Sequence, residues 1–272
     1  MRILALLATY NEQRYIAACL EHYIQQGVDV YLIDNESTDD TLRLATAFLG
    51  HGLVGIETMP RAGAYPWKAI LERKAALSAE LDANWFMHAD PDEIRLPPVP
   101  HQTLADAIAD VDAGGFNAIN FFEYTFVPTR QAPDHDHPDY LSTMRRYYPF
   151  SPIYPNQLKA WKRQPVTVDL AASGGHRVDF PGLKMYPTPF PMRHYMFLSV
   201  EHAVRKYVER TWDAAELAMG WHRARSRLRL PDIVLQDEST LRAYSSDAAL
   251  DPSDPLTVHP LFAQNPAGGQ KP

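Results

Sequence analysis

Four short runs dominated by apolar residues, at 3–8, 28–33, 53–58 and 85–89, alternate with stretches whose apolar residues recur at helical spacing. No other feature constrains the fold as strongly. A continuous apolar run suits a strand buried on both faces. The intervening stretches at 15–26 and 67–81 read as helices, and Ser37-Thr38-Asp39-Asp40 supplies cap residues for a third that reaches Phe48. A repeated strand-helix unit folds into a parallel sheet with helices on both faces, here over the first ninety residues. Ligands of such sheets collect at the carboxyl ends of the strands. Three polar clusters fall there: Thr9-Tyr10-Asn11-Glu12, Asp34-Asn35-Glu36-Ser37 and Asp90-Pro91-Asp92-Glu93.

Beyond residue 100 the pattern predicts a helix at 103–111 and a strand at 117–123, after which regular alternation ends. Residues 127–157, rich in Pro, Asp, His and Tyr, read as a long functional loop. Short strands are expected at 157–161 and 192–195, and a helix from Ser199 to Arg229 with a break near Gly220. From Asp237 the chain turns polar and Pro-rich, down to Asn265-Pro266-Ala267-Gly268-Gly269, and is expected to be loosely held. The organisation expected is one domain over 1–235, with a ligand-binding half at 1–100 and a second half at 101–235, followed by a tail at 236–272. No internal repeat is present.

Composition excludes several classes. A chain of 272 residues with 46% hydrophobic and 22% charged residues is an ordinary globular protein with a full core. Its net charge of −7 argues against nucleic acid as the main partner, which would demand a dominant basic surface. Cys19 is the sole cysteine, so neither a disulfide framework nor a thiolate metal site can form within the chain. The apolar opening stops at Thr9, short of a secretory core. No segment reaches the ~18 uninterrupted apolar residues of a membrane span. The expected location is cytoplasmic, with peripheral contact at the inner face of the membrane left open.

Asp90 and Asp92 carry the clearest chemistry. Two carboxylates one residue apart at the end of a buried strand suit a hard cation, Mg²⁺ or Mn²⁺, held against phosphates. The plainer alternative is a solvated acidic turn. Taken together, Ala8-Thr9-Tyr10-Asn11-Glu12, Asp34-Asn35-Glu36-Ser37-Thr38-Asp39-Asp40-Thr41 and Asp90-Pro91-Asp92 resemble, in order and rough spacing, the family 2 type glycosyltransferases of the GT-A fold, as found in bacteria. That resemblance implies an α/β fold with a mixed, mostly parallel central sheet flanked by helices. It also implies transfer of a sugar, with inversion, from a nucleotide-diphosphate donor such as a UDP-sugar to a hydroxyl on a glycan or lipid-linked glycan.

On this reading Thr9 and Asn11 line the base pocket and Asp34 accepts from a base imide, the alternative for Asp34 being a turn-stabilising role. Asp39 suits a helix start better than a ligand. The resemblance makes Asp90 and Asp92 metal ligands, Asp90 also touching the nucleotide, with Glu93 behind them. It directs Lys74, or Arg73, at the diphosphate. A second-half histidine completes the metal site, His194 first and His176 as alternate, each open also to a purely structural role. Lys206 and Arg193 would contact the phosphates. Arg210, four residues from Lys206, shares its helix face.

The family's acidic motif for the general base is not evident at its expected distance. Glu123 is the first candidate and Asp169 the second, and either could instead accept sugar hydroxyls at the rim. His88, inside an apolar strand, reads as a packed, hydrogen-bonded residue. Asp134-His135-Asp136-His137, set between prolines, reads as a solvated loop. The arginines at 223, 225, 227 and 229 alternate and read as a solvated basic face. Two further readings stand beside the first: a sugar-phosphate nucleotidyltransferase, and a non-catalytic protein of the same fold that binds nucleotides or glycans. The first usually shows a Gly-rich loop after its first strand, where this chain has Ala8-Thr9-Tyr10-Asn11.

Overall fold

The computed structural model describes residues 1–222 and 225–262. Its first half runs β1 (Ile3–Thr9), α1 (Ile16–Gln25), β2 (Asp29–Asp34), α2 (Thr41–Thr46), β3 (Leu53–Thr58), α3 (Trp67–Glu80), β4 (Trp85–Ala89), β5 (Glu93–Arg95) and α4 (Leu104–Ala113). The second half runs β6 (Ala118–Phe126), α5 (Tyr140–Thr143), β7 (Arg146–Phe150), β8 (Leu158–Lys162), β9 (Phe190–Tyr195), α6 (Val200–Ala203), α7 (Ala214–Ala218) and β10 (Arg242–Ala243). The sheet order is β10-β7-β6-β8-β4-β1-β2-β3, with β9 pairing β5 and β6. The sheet is parallel across β4-β1-β2-β3 and antiparallel from β4 through β8, β6, β7 and β10. This is the expected α/β architecture, a mixed sheet with a parallel first half.

Period two in β1 explains the two layers. Ile3, Ala5 and Leu7 face a core shared with Ile16, Cys19, Leu20 and Tyr23 of α1 and Leu104, Ala107, Ile108 and Val111 of α4. Leu4 and Leu6 face the opposite core, with Leu71, Ala75 and Leu77 of α3. Each of these helices buries an i, i+3, i+4 stripe, and each fully buried aliphatic stabilises the fold by about 1.5–3 kcal/mol. Thr103 caps α4 by accepting from the Asp106 amide. The chain leaves β1 for β2 on one side and returns to β4 on the other, so a crevice opens at the carboxyl ends of these strands.

Three expectations for the second half need correction. The expected loop at 127–157 contains α5 and β7, because Tyr147, Tyr148 and Phe150 are buried and pair with β6. The expected long helix from Ser199 is instead α6, a π-helical turn at Val204–Val208, the short α7 and 3-10 turns, with the Asp213 carboxylate opening α7 anew. Arg223 lies outside the described residues.

The stretch after Asp237, expected to be loose, is largely exposed but anchored to the domain at several points. Arg242 and Ala243 pair with β7, Leu256 bridges Phe150, and Leu261 has no exposed surface. Residues 263–272 of the expected tail lie outside the described residues. Among the described residues no helix is long and apolar enough to cross a membrane.

Candidate active site

At the end of β1, Thr9 is nearly buried and its hydroxyl faces Asp34 Oδ1 at 3.4 Å. Asp34 has no exposed surface, and its other oxygen accepts the Ser37 amide at 3.0 Å. Asp34 therefore shapes the turn after β2 from behind, in its turn-stabilising role, and offers no atom to a base. Asn11, exposed and in the left-handed region at φ 55°, ties the loop after β1 to that turn by accepting from the Thr38 amide at 2.8 Å. Asp39 accepts from the Thr41 amide at the start of α2, the helix-start role expected of it. Beside this wall the Arg61 guanidinium lies 3.6 Å from the centre of the Tyr10 ring, and its Nη1 donates to Asn35 at 3.1 Å. Arg210 sits over Tyr65 at 4.6 Å.

Asp90 and Asp92 are delivered at the end of β4 and the entry to β5. Lys159 of β8 donates to Asp90 at 3.3 Å and to Glu93 at 2.7 Å. Lys206, from the π-helical turn, donates to Asp92 at 2.6 Å. Burial alone would raise both aspartates, yet Lys159 for Asp90, and Lys206 with His194 for Asp92, hold them ionised well below the usual carboxylate range. Lys206 also lies 5.0 Å over the Tyr15 ring. Glu12 closes the group from the loop after β1; burial pushes its carboxyl up to about 7, and Oε2 finds no partner among the described residues.

The pairing of β5 with β9 sets Glu93 opposite His194 and so carries His194 across a hundred residues of chain to Asp92. His194 Nε2 lies 3.4 Å from Asp92 Oδ2, and Nδ1 lies 2.7 Å from Glu123 Oε1. Burial works against a charge on the ring, but Glu123 and Asp92 on either side keep it protonated. Among the described residues no three His, Cys, Asp or Glu side chains converge to cage a metal ion. A cation held here would have to displace the Nε2 proton of His194 and the Lys206 ammonium from Asp92. His194 has one ring nitrogen on a carboxylate, as metal-binding imidazoles do, and the other facing a second carboxylate. Such a set suits a cation that completes its shell with phosphate oxygens.

The expected base Glu123 is corrected by its surroundings. It is buried, accepts from Thr125 Oγ1 and Gln157 Nε2 at 2.9 Å each, and contacts His194. Although burial opposes the charge, His194 holds its carboxyl at about 2, and Thr125, Gln157 and His194 take up its oxygens. Asp169 stands in an exposed turn and caps the Ala172 amide, contacting none of these groups.

Lys74 does not face a diphosphate. It has no exposed surface, and Nζ contacts His88 Nδ1 at 2.8 Å and donates to the Ala89 carbonyl at 2.9 Å, beneath Asp90. Arg73 binds Glu57 and Glu80 on the helix surface. His88 is packed and hydrogen-bonded as expected, with Nε2 unpartnered and 3.8 Å from Asp90. Gly175 presses on it at φ +88°, where a Cβ would lie 3.2 Å from that nitrogen. His176 follows on the same turn, with its residue surface exposed, and is not brought to Asp92 by any contact.

Arg193 is on the opposite face of β9 from His194, with Nη1 donating to Tyr244 at 3.1 Å and Nε 3.4 Å from Asp247. It contacts no group of the carboxylate cluster. The Asp134–His137 segment is less solvated than expected, since His135 is buried and Asp136 bridges Arg14 and Arg205. The sequence reading missed Lys159, Glu12 and Arg61 as site residues. A lysine inside the apolar strand Leu158-Lys159-Ala160-Trp161 was the available signal for the first.

The pattern of glycosyltransferase family 92 matches residues 5–157, more than half of the chain and all three motifs. This chain belongs to glycosyltransferase family 92; the matching family is numbered 92, where the motifs resemble family 2. Among solved structures, S. aureus TarS is similar at TM-score 0.44 and 13% identity, over 85% of this chain and 45% of that one. The 1–349 portion of TarS in complex with UDP is similar at TM-score 0.42 and 13% identity, over 84% of this chain and 73% of that one. This chain thus spans less than half the length of the first. No curated protein matches in sequence.

Proposed function

We propose that this glycosyltransferase moves a sugar from a nucleotide-diphosphate donor to a hydroxyl of a glycan or lipid-linked glycan, with inversion and with Mn²⁺ or Mg²⁺. One observation carries the reading: the line Lys206, Asp92, His194, Glu123 at the carboxyl end of the sheet, beside Asp90. Asp92 and His194, with Asp90 adjacent, would hold the cation, and Glu123 would orient the imidazole. The cation would supply charge to offset the departing diphosphate. Lys206 supplies a fixed positive charge at the same place, and such preorganised charge is worth most where the leaving group gathers its negative charge. Uridine is the nucleotide that the motif resemblance implies. Asn11 and the Tyr10–Arg61 pair are the groups at the crevice mouth suited to receive it. The location that goes with this reading is the cytoplasm, at or near the inner face of a membrane where lipid-linked acceptors reside.

Thermal melting with UDP, GDP, CDP and dTDP, each with and without Mn²⁺, tests this. A nucleotide at 100 times its Kd adds about 2.7 kcal/mol, a shift of several degrees. Asp92→Asn should remove the Mn²⁺-dependent shift and lower metal-dependent UDP-sugar turnover by at least about 10²-fold. If no nucleotide moves the melting temperature, and the substitution changes nothing, the reading fails.

A further inference from the structure

Lys159 and Lys206 are bound to Asp90 and Asp92 in different ways. Lys159 stands in β8 and is shared, donating to Asp90 at 3.3 Å and to Glu93 at 2.7 Å. Lys206 donates to Asp92 alone, at 2.6 Å, and the same oxygen faces His194 Nε2 at 3.4 Å. The π-helical turn Val204–Val208 carries this lysine, with its ammonium 5.0 Å from the centre of the Tyr15 ring and 5.9 Å from that of Tyr207. An ammonium on Asp92 Oδ2 competes with any cation for that oxygen, since two positive charges so close repel strongly.

Glu12 is the complement of Lys206. It is 9% exposed, and its side chain makes no hydrogen bond or ion pair among the described residues, Oε2 being wholly buried. A carboxylate buried without a partner is costly, so its surroundings favour the arrival of a donor. The backbone fixes its place: the amide donates to Thr41 Oγ1 at 2.8 Å, and the carbonyl accepts from Tyr15 and Ile16 at 2.9 Å each. Of the charged groups around it, Lys206 acts on it most strongly, ahead of Asp92, Arg210 and Asp39. Arg210 is held elsewhere, over the Tyr65 ring at 4.6 Å and the Trp212 ring at 5.6 Å. Lys206, on a flexible four-carbon stem, is the cation available to Glu12.

We propose that Glu12 is a positioning residue that receives Lys206 when a divalent cation takes Asp92, an inference that rests on the metal-dependent donor reading above. Without a cation, Lys206 holds Asp92 and Glu12 stays unpaired. When Asp92 turns to a cation, the ammonium passes to Glu12, and its charge remains in the crevice for the departing diphosphate. Each carboxylate then has a partner, and the cluster has two arrangements between which the cation selects. Without Glu12, cation binding would leave the Lys206 ammonium buried and unpaired, the most costly outcome for such a charge.

The test is Mn²⁺ binding, read from loss of the free-ion EPR signal without nucleotide and then with UDP. Four proteins are compared: the wild type, Lys206→Met, Glu12→Gln and the double variant. Lys206→Met should bind Mn²⁺ about 10-fold more tightly than the wild type, because the competitor for Asp92 is gone. Glu12→Gln keeps the size of the side chain and the backbone contacts, and should bind Mn²⁺ about 10-fold more weakly. Made in the Lys206→Met background, the same substitution should change the affinity by less than about 2-fold, since Glu12 acts through the lysine. If Lys206→Met melts too low to assay, Lys206→Gln carries the same comparison.

Equal Mn²⁺ affinity with and without the lysine, or an equal loss from Glu12→Gln in both backgrounds, overturns the assignment while leaving the donor reading standing. No Mn²⁺ binding by any of the four proteins, with or without UDP, overturns the metal-dependent reading and this inference with it.

Discussion

Lys74→Met separates a buried lysine from one that faces substrate phosphates. Lys74 has no exposed surface, and burial, with the charges of Lys159 and Arg95 working in the same direction, pushes its ammonium from 10.5 down to about 7. Between those two values the unfolded chain holds a proton on Lys74 that the folded chain lacks. Unfolding therefore takes up a proton, and stability rises with pH across the window. A displacement from 10.5 to about 7 corresponds to about 5 kcal/mol in full, of which about 4 kcal/mol is reached by pH 10. Methionine keeps the length and apolar bulk but cannot titrate. It also leaves His88 Nδ1 and the Ala89 carbonyl without their donor, an offset of about 1–3 kcal/mol per group that does not change over this range. Urea denaturation of both proteins at pH 7, 8, 9 and 10 isolates the effect, because titrations that do not involve Lys74 cancel in the difference. The wild type should gain on Lys74→Met by about 3.5 kcal/mol from pH 7 to 10. Parallel stability profiles would refute the buried, hydrogen-bonded lysine and return Lys74 to the solvent-facing role the sequence suggests.

Two further substitutions probe the frame around the site. Gly175→Ala places a Cβ 2.8 Å from Trp67 Cζ2 and 3.0 Å from Leu71 Cδ2 at φ +88°, and should lower stability by about 1–3 kcal/mol in urea titration; an unchanged midpoint would mean that the turn does not press on His88. Leu261→Ala removes a side chain with no exposed surface and should cost about 2–5 kcal/mol by the same measurement, whereas a loosely held tail would register nothing.

The parallel half of the fold is legible because its signals are local. Residues 3–8 and, His88 apart, 85–89 are apolar since both faces of β1 and β4 are covered, and that pattern survives without knowledge of any partner. The three polar motifs follow those strands directly, so their position at the crevice is legible too. The remainder of the site depends on antiparallel pairings between distant segments. Lys159 reaches Asp90 only because β8 lies against β4, and His194 reaches Asp92 only because β9 lies against β5.

Arg193 and His194 show how much of this the sequence still contains. Neighbouring residues of a strand point to opposite faces, so period two alone forbids both from serving one cavity. Which of them serves depends on register. Glu93 opposite His194 places the histidine over Asp92 and turns Arg193 toward Tyr244 and Asp247 on the strap after Asp237. A one-residue slip of β9 would exchange the two, setting a guanidinium beside Asp92 and stranding Glu123 without its imidazole. The strap contacts both faces of the β7-β6-β9 ladder, at Arg193 through Tyr244 and at Tyr148 through His259, so the segment least readable as structure helps hold the register on which the site depends.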